Sequence, residues 1–149
     1  MKCPKLSDFC TKLTGIEQKT VDNAKPFTEV WKQFIRFMIN THLIDDAEQP
    51  ICNFTFVTCG DWDIEYMLIN QNNLSGIKIP KFMRQWINIK IPFRQISYPH
   101  SSSFRSMMDF LKLPLIGRHH SGIDDTRNTA EILKVLIRYN IWLVNTSYI

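Results

Sequence analysis

What most constrains this chain is a shortage of strands. One run, Ile51 to Cys59, is uncharged, β-rich and aromatic, which marks a buried strand ended by Gly60. A second, shorter run, Ile141 to Val144, reads as a final strand. The other patterned segments are helical. Pro26 suits a helix start, and Val30, Trp31, Phe34, Ile35, Phe37 and Met38 predict an amphipathic helix to about Ile39. Further helices are expected over Trp62 to Ile69 behind an Asp61 cap, over Lys81 to Ile87, and over Phe104 to Leu113 behind a Ser103 cap. The longest opens at Ser121-Gly122-Ile123-Asp124, a capping box with Asp in place of Glu, and Ala130, Leu133, Leu136 and Ile137 form its expected buried stripe. Residues 1–25 lack periodicity and carry turn chemistry, including Thr14-Gly15, while 45–50 and 70–80 read as loops. Pro92 to Ser103, with two Pro, four Ser and His100, reads as an exposed connection. The inventory is α/β, yet two strands cannot cover four or five apolar helix faces.

Composition narrows the function classes. A length of 149 residues suits one domain. With 44% hydrophobic and 21% charged residues, a disordered tail, a collagen-like rod and a coiled coil are excluded. Eighteen Lys and Arg against fourteen Asp and Glu leave +4, a balance compatible with nucleic acid. The apolar stretch Phe34 to Ile39 is broken by Arg36 and falls far short of the ~18 residues that span a bilayer. No apolar stretch of a secretory signal follows Met1-Lys2-Cys3-Pro4-Lys5. Cys3, Cys10, Cys52 and Cys59 fall in pairs seven apart, off zinc spacing, and read as reduced, packed thiols. The expectation is an intracellular soluble protein, cytoplasmic or nuclear, with no membrane partner.

Acids meet element ends in two places. Thr58-Cys59-Gly60-Asp61-Trp62-Asp63 directly follows the expected buried strand, where open α/β sheets gather ligands. Helix capping and the positive helix end explain acids there equally well. The second place is His119-His120-Ser121-Gly122-Ile123-Asp124-Asp125. A histidine just before a helix start is disfavoured as imidazolium, so His120 can stay neutral and accept a proton. Two aspartates from different elements with a neutral histidine fit metal-assisted phosphodiester hydrolysis, and fit an inert surface as well.

Four ordered blocks go further. They are Phe9-Cys10-Thr11-Lys12-Leu13-Thr14-Gly15-Ile16, Phe56-Val57-Thr58-Cys59-Gly60-Asp61-Trp62-Asp63, Gln85-Trp86-Ile87-Asn88-Ile89-Lys90, and Gly117-Arg118-His119-His120-Ser121-Gly122-Ile123-Asp124-Asp125-Thr126-Arg127-Asn128. Across nearly the whole chain they resemble the ERI-type branch of the DEDDh 3′–5′ exonucleases, an RNase T-like superfamily acting mainly on RNA ends. The resemblance implies a ribonuclease-H-like α/β fold and a single partial exonuclease domain over 1–149. It also implies a 3′–5′ exoribonuclease that works through two Mg²⁺ ions, with Mn²⁺ as a substitute. Asp63 and Asp125 would be metal ligands, His120 the general base, and Leu13 and Thr14 the seat of the terminal nucleotide. RNA 3′ ends are the implied partner, with single-stranded DNA as a second possibility. His119 falls where the family usually carries a different residue and reads as incidental. Asp61 and Asp124 read as helix-end acids rather than ligands.

One expected part is missing from the pattern. The family's first motif, Asp-x-Glu on its first strand, would lie upstream of Phe9. Asp46-Ala47-Glu48 and Asp63-Ile64-Glu65 have that spacing but stand elsewhere in the order of motifs. The resemblance thus implies an N-terminally incomplete fold, with the first three strands of the mixed sheet absent, from an incomplete gene model or a truncated product. A non-catalytic RNA- or protein-binding remnant is the alternative expectation.

Overall fold

A computed structural model describes residues 5–98 and 100–149. Cys3, and Pro99 within the expected connection, lie outside the described residues. The chain divides into two compact units, one drawn from the segment up to Pro26 with Phe93–Ile141, the other from Phe27–Pro92 with Trp142–Ile149.

The first unit is helical. It holds α1 (Asp8–Thr14), α2 (Gln18–Asp22), the later part of α5 (Lys90–Ser97), α6 (Phe104–Phe110) and α7 (Gly122–Arg138). Two helices therefore occupy the stretch expected to be turns. Ser7 caps α1 by accepting from the Cys10 N–H at 3.2 Å. Gly15, at φ 77°, closes it by donating to the Thr11 carbonyl at 2.9 Å. The Thr14-Gly15 turn signal was thus a helix terminator, the left-handed position that glycine fills without strain. Helix α5 replaces the expected connection, because Pro92 stands in the first turn, where its missing N–H has no intrahelical partner to lose. The Ser103 cap holds, accepting from the Ser106 N–H at 3.2 Å. Phe93, Met107, Met108, Ile132 and Leu136 are fully buried, and Phe93 meets Phe110 edge-on at 5.4 Å. On α7 the buried stripe is Asn128, Ile132 and Leu136, whereas Ala130 and Ile137 are exposed. Leu136 is buried as expected and Leu133 half-buried, while the rest of the expected stripe was out of phase because hydropathy alone passes over a buried asparagine.

The second unit carries the sheet. Helix α3 (Phe27–Asn40) runs as expected. Strand β1 (Phe56–Thr58) covers only the end of the expected Ile51–Cys59 run. A π-helix (Trp62–Leu68), α4 (Ile69–Leu74) and a 3₁₀ turn (Lys81–Met83) lead to β2 (Gln85–Asn88), and the chain ends with β3 (Ser147–Tyr148). Strands β1 and β2 are parallel, pairing Phe56 with Trp86, Val57 with Ile87 and Thr58 with Asn88. Strand β3 pairs antiparallel with β2, setting Tyr148 opposite Gln85 and Ser147 opposite Trp86. Ile141 to Val144 is not a strand. The helix expected over Lys81 to Ile87 is a short turn followed by the central strand. Trp86, Ile87 and Asn88 are all buried, so the strand shows none of the alternation that distinguishes it from helix. Ile35 and Met38 of α3 pack with Ile44, Phe82 and Met83 as the core. An aromatic file continues it, with Phe34–Phe56 at 6.4 Å, Phe54–Phe56 at 5.8 Å and Phe54–Phe82 at 5.8 Å.

Among the described residues no helix is long and apolar enough to cross a membrane. Cys10, Cys52 and Cys59 are in no disulfide, but Cys10 and Cys52 are exposed rather than packed.

Candidate metal and catalytic centre

In the first unit, the start of α7 carries two of the expected site residues, His120 just before the helix and Asp125 in its first turn. Asn128, fully buried, fixes the incoming loop: its Oδ1 accepts from the Ile116 N–H at 2.8 Å, and its Nδ2 donates to the carbonyls of Ile116 at 2.9 Å and Asp124 at 2.8 Å. Gly117 follows at φ 67°, where a Cβ would collide with the Asp124 carboxylate. That carboxylate accepts from the Arg118 N–H at 3.1 Å and faces Arg127 Nη1 at 3.5 Å. The Arg118 N–H and then the Ser121 hydroxyl hold the Asp124 carboxyl below its usual value against the opposing effect of burial, with a weaker contribution from the Arg127 charge. Ser121 occupies the cap position of α7 without accepting from the helix backbone, and its own N–H donates to the Arg118 carbonyl at 3.1 Å, so the expected capping box is not made.

Asp125 is held from both sides. Its Oδ1 lies 3.0 Å from His119 Nδ1, and its Oδ2 accepts from the His120 N–H at 3.1 Å. His119 is therefore not incidental. Its ring stacks on Phe104 with centroids 5.0 Å apart and planes 2° apart, and lies 3.9 Å from the His120 ring. His120 adopts φ 68°, a left-handed conformation in which the two successive rings turn to the same side. One donor atom from each of His119, His120 and Asp125 lies within 4.8 Å of the others. An oxygen and two ring nitrogens at that spacing can hold a divalent cation.

The same unit brings the Leu13-Thr14 segment to this loop. Both residues are half-buried on the last turn of α1. Thr14 Oγ1 donates to the Cys10 carbonyl at 2.8 Å and accepts from the Ile16 N–H at 3.1 Å. The Arg118 guanidinium donates to the Lys12 carbonyl and covers Gly15, where a Cβ would stand 2.6 Å from Nη1. Nothing in a one-residue hydropathy pattern points to Phe104, His119 or Asn128. Only the two adjacent histidines and a buried-phase asparagine, four residues after Asp124, could have signalled them.

In the second unit, Asp63 sits in the first turn of the π-helix that follows β1. The π-helix is a rare form, frequent near functional sites. Among the described residues the exposed Asp63 side chain makes no hydrogen bond or ion pair. Asp61 stands at the cap position but does not cap. Its carboxylate accepts from Trp86 Nε1 at 3.0 Å, Asn88 Nδ2 at 2.8 Å and Ser147 Oγ at 2.5 Å, tying the end of β1 to β2 and β3. Burial pushes the Asp61 carboxyl up, but the bonds from Ser147, Asn88 and Trp86, with the Lys90 charge, outweigh it and leave the group below its usual value. Lys90 lies over Gly60, its Nζ 3.5 Å from where a Cβ would be.

Comparison with known proteins shows the family. The exonuclease family pattern matches residues 2–133. Human ERI1 exoribonuclease 3 is 39% identical over 135 residues, covering 89% of this chain and 39% of that protein. The 3′-5′ exonuclease Snipper of Drosophila melanogaster is 31% identical over 142 residues, covering 91% of this chain and 50% of its own. The solved nuclease domain of 3′hExo, a DEDDh family member bound to rAMP, matches with a TM-score of 0.87 at 32% identity, covering 97% of this chain and 71% of that one. A 3′-exonuclease solved in 3′-end-specific recognition of a histone mRNA stem-loop matches with a TM-score of 0.85 at 32% identity, covering 95% and 61%. The chain spans well under two thirds of the length of these two curated relatives.

Proposed function

This chain belongs to the exonuclease family, and from that premise we propose that it serves the stepwise removal of nucleotides from RNA 3′ ends. The observation that carries the reading is the Asp125 carboxylate held between His119 and the His120 backbone at the start of α7. Asp125 is an acceptor-only group, and Asp63 offers a second, exposed carboxylate, so both suit a hard cation such as Mg²⁺, for which Mn²⁺ would substitute. Bound there, such ions would polarise the scissile phosphate and offset the charge that develops on its oxygens.

The remaining steps fall to the chain's own side chains. Leu13 and Thr14 would seat the terminal nucleotide beside the loop that Arg118 anchors. The His120 ring would take a proton from the water that attacks phosphorus. The bond to the 3′ oxygen of the preceding nucleotide then breaks, giving a nucleoside 5′-monophosphate and a shortened strand whose 3′ hydroxyl takes a proton from solvent. Single-stranded DNA fits the same chemistry as a second substrate.

The test is digestion of 5′-labelled RNA by the full-length protein in Mg²⁺. Asp63→Asn and Asp125→Asn should abolish it, and His120→Asn should slow it by about 10²–10⁴-fold. Undiminished digestion by either aspartate variant overturns the assignment. RNA held in EDTA and never digested in Mg²⁺ would point instead to a binding module, for which the +4 charge is the supporting feature.

A further inference from the structure

We propose that His119, His120 and Asp125 form a binding site for a single divalent cation of the zinc class. Their donor atoms all lie within 4.8 Å of one another. His119 Nδ1 and Asp125 Oδ1 are 3.0 Å apart, close to the ~3.3 Å that separates donors around a tetrahedral ion with bonds of ~2.0–2.1 Å. Side chains of successive residues normally diverge. Here the left-handed His120 backbone and the Phe104 stack turn both imidazoles toward one carboxylate.

The donor set selects the metal. Two imidazole nitrogens and one carboxylate oxygen suit Zn²⁺, Co²⁺ or Ni²⁺, whereas Mg²⁺ prefers an octahedron of oxygens. Arg127, on the same helix, pairs with Asp124 at 3.5 Å. The second imidazole, His119, is what converts an oxygen site into a mixed one. All three ligands belong to one unit, so binding does not depend on the nuclease reading. Zinc held there would also withdraw His120 and Asp125 from the hydrolysis proposed above, and that consequence does rest on it.

The experiment titrates the full, tag-free chain with Zn²⁺ by calorimetry and with Co²⁺ by visible absorption. One ion per chain is expected, with ligand-field bands and no thiolate charge-transfer band. His119→Gln and His120→Gln, each checked for folding by circular dichroism, should weaken Zn²⁺ by about tenfold or more. A thiolate band, no binding, or wild-type Zn²⁺ affinity in whichever of the two variants folds would overturn the site.

Discussion

Asp61 with Asp63 in the second unit, and Asp124 with Asp125 in the first, divide labour in the same way by different means. In each pair the earlier acid is consumed by structure. Asp61 gathers donors from two neighbouring strands, and Asp124 pins the Gly117-Arg118 turn against its own helix. The later acid is presented. Asp63 stands in the open, whereas Asp125 is gripped by two histidines. Two neighbouring carboxylates at a helix start therefore carry different information: the one with three donors specifies the fold, and the one with spare lone pairs is available to a ligand. In the second unit the anchor is long-range, while in the first it lies within about ten residues of the acid, so the first loop can form with its helix.

The largest effect that could break this comparison is on stability. Asp61→Ala leaves the Trp86 and Asn88 donors without a partner in the interior and should cost roughly 3 kcal/mol, against about 0.5 kcal/mol or less for Asp63→Ala. Urea unfolding of the two variants measures the difference, and equal midpoints would remove the distinction between anchor and presented acid. A smaller effect concerns the first unit. Gly117→Ala must place a side chain at a left-handed φ and displace Asp124, for a loss of about 2 kcal/mol. Gly122→Ala meets nothing within 4 Å and should stay within about 1 kcal/mol of the parent. The smallest effect is the acid limb. Because the folded Asp61 carboxyl lies below its usual value, its contribution is fully present above the unfolded value and is lost as pH falls through the folded one. Asp61→Asn should flatten that limb of the stability–pH curve below about pH 4, and an unchanged slope would deny Asp61 its anchoring role.

Legibility followed the range of the interactions involved. Helix α3 was readable because its apolar positions repeat at helical spacing and Pro26 marks its start. The Ser103 cap was readable because caps act within one turn, and the sequence also placed the onset of α7, although Ser121 makes no cap bond there. The first two helices were missed because each is short, at 7 and 5 residues, with no buried residue to create a period. Helix α5 was missed because a proline in a first turn looks the same in sequence as a proline in a loop. The central strand was missed because burial on both faces erases alternation.

The sequence by itself determined the order of the motif blocks, the helices whose faces repeat, and the acids and histidine that fall at helix starts. These depend on residue type and on spacing of a few positions, which the chain carries wherever it folds. Only tertiary structure decided that Trp86 lies in a strand, that Asp61 is an anchor rather than a cap, and that His119 turns back onto Asp125 beneath Phe104. Each of those outcomes rests on a partner 6 to 86 residues away along the chain. Which distant donor a carboxylate meets is fixed by packing, and no local propensity encodes it.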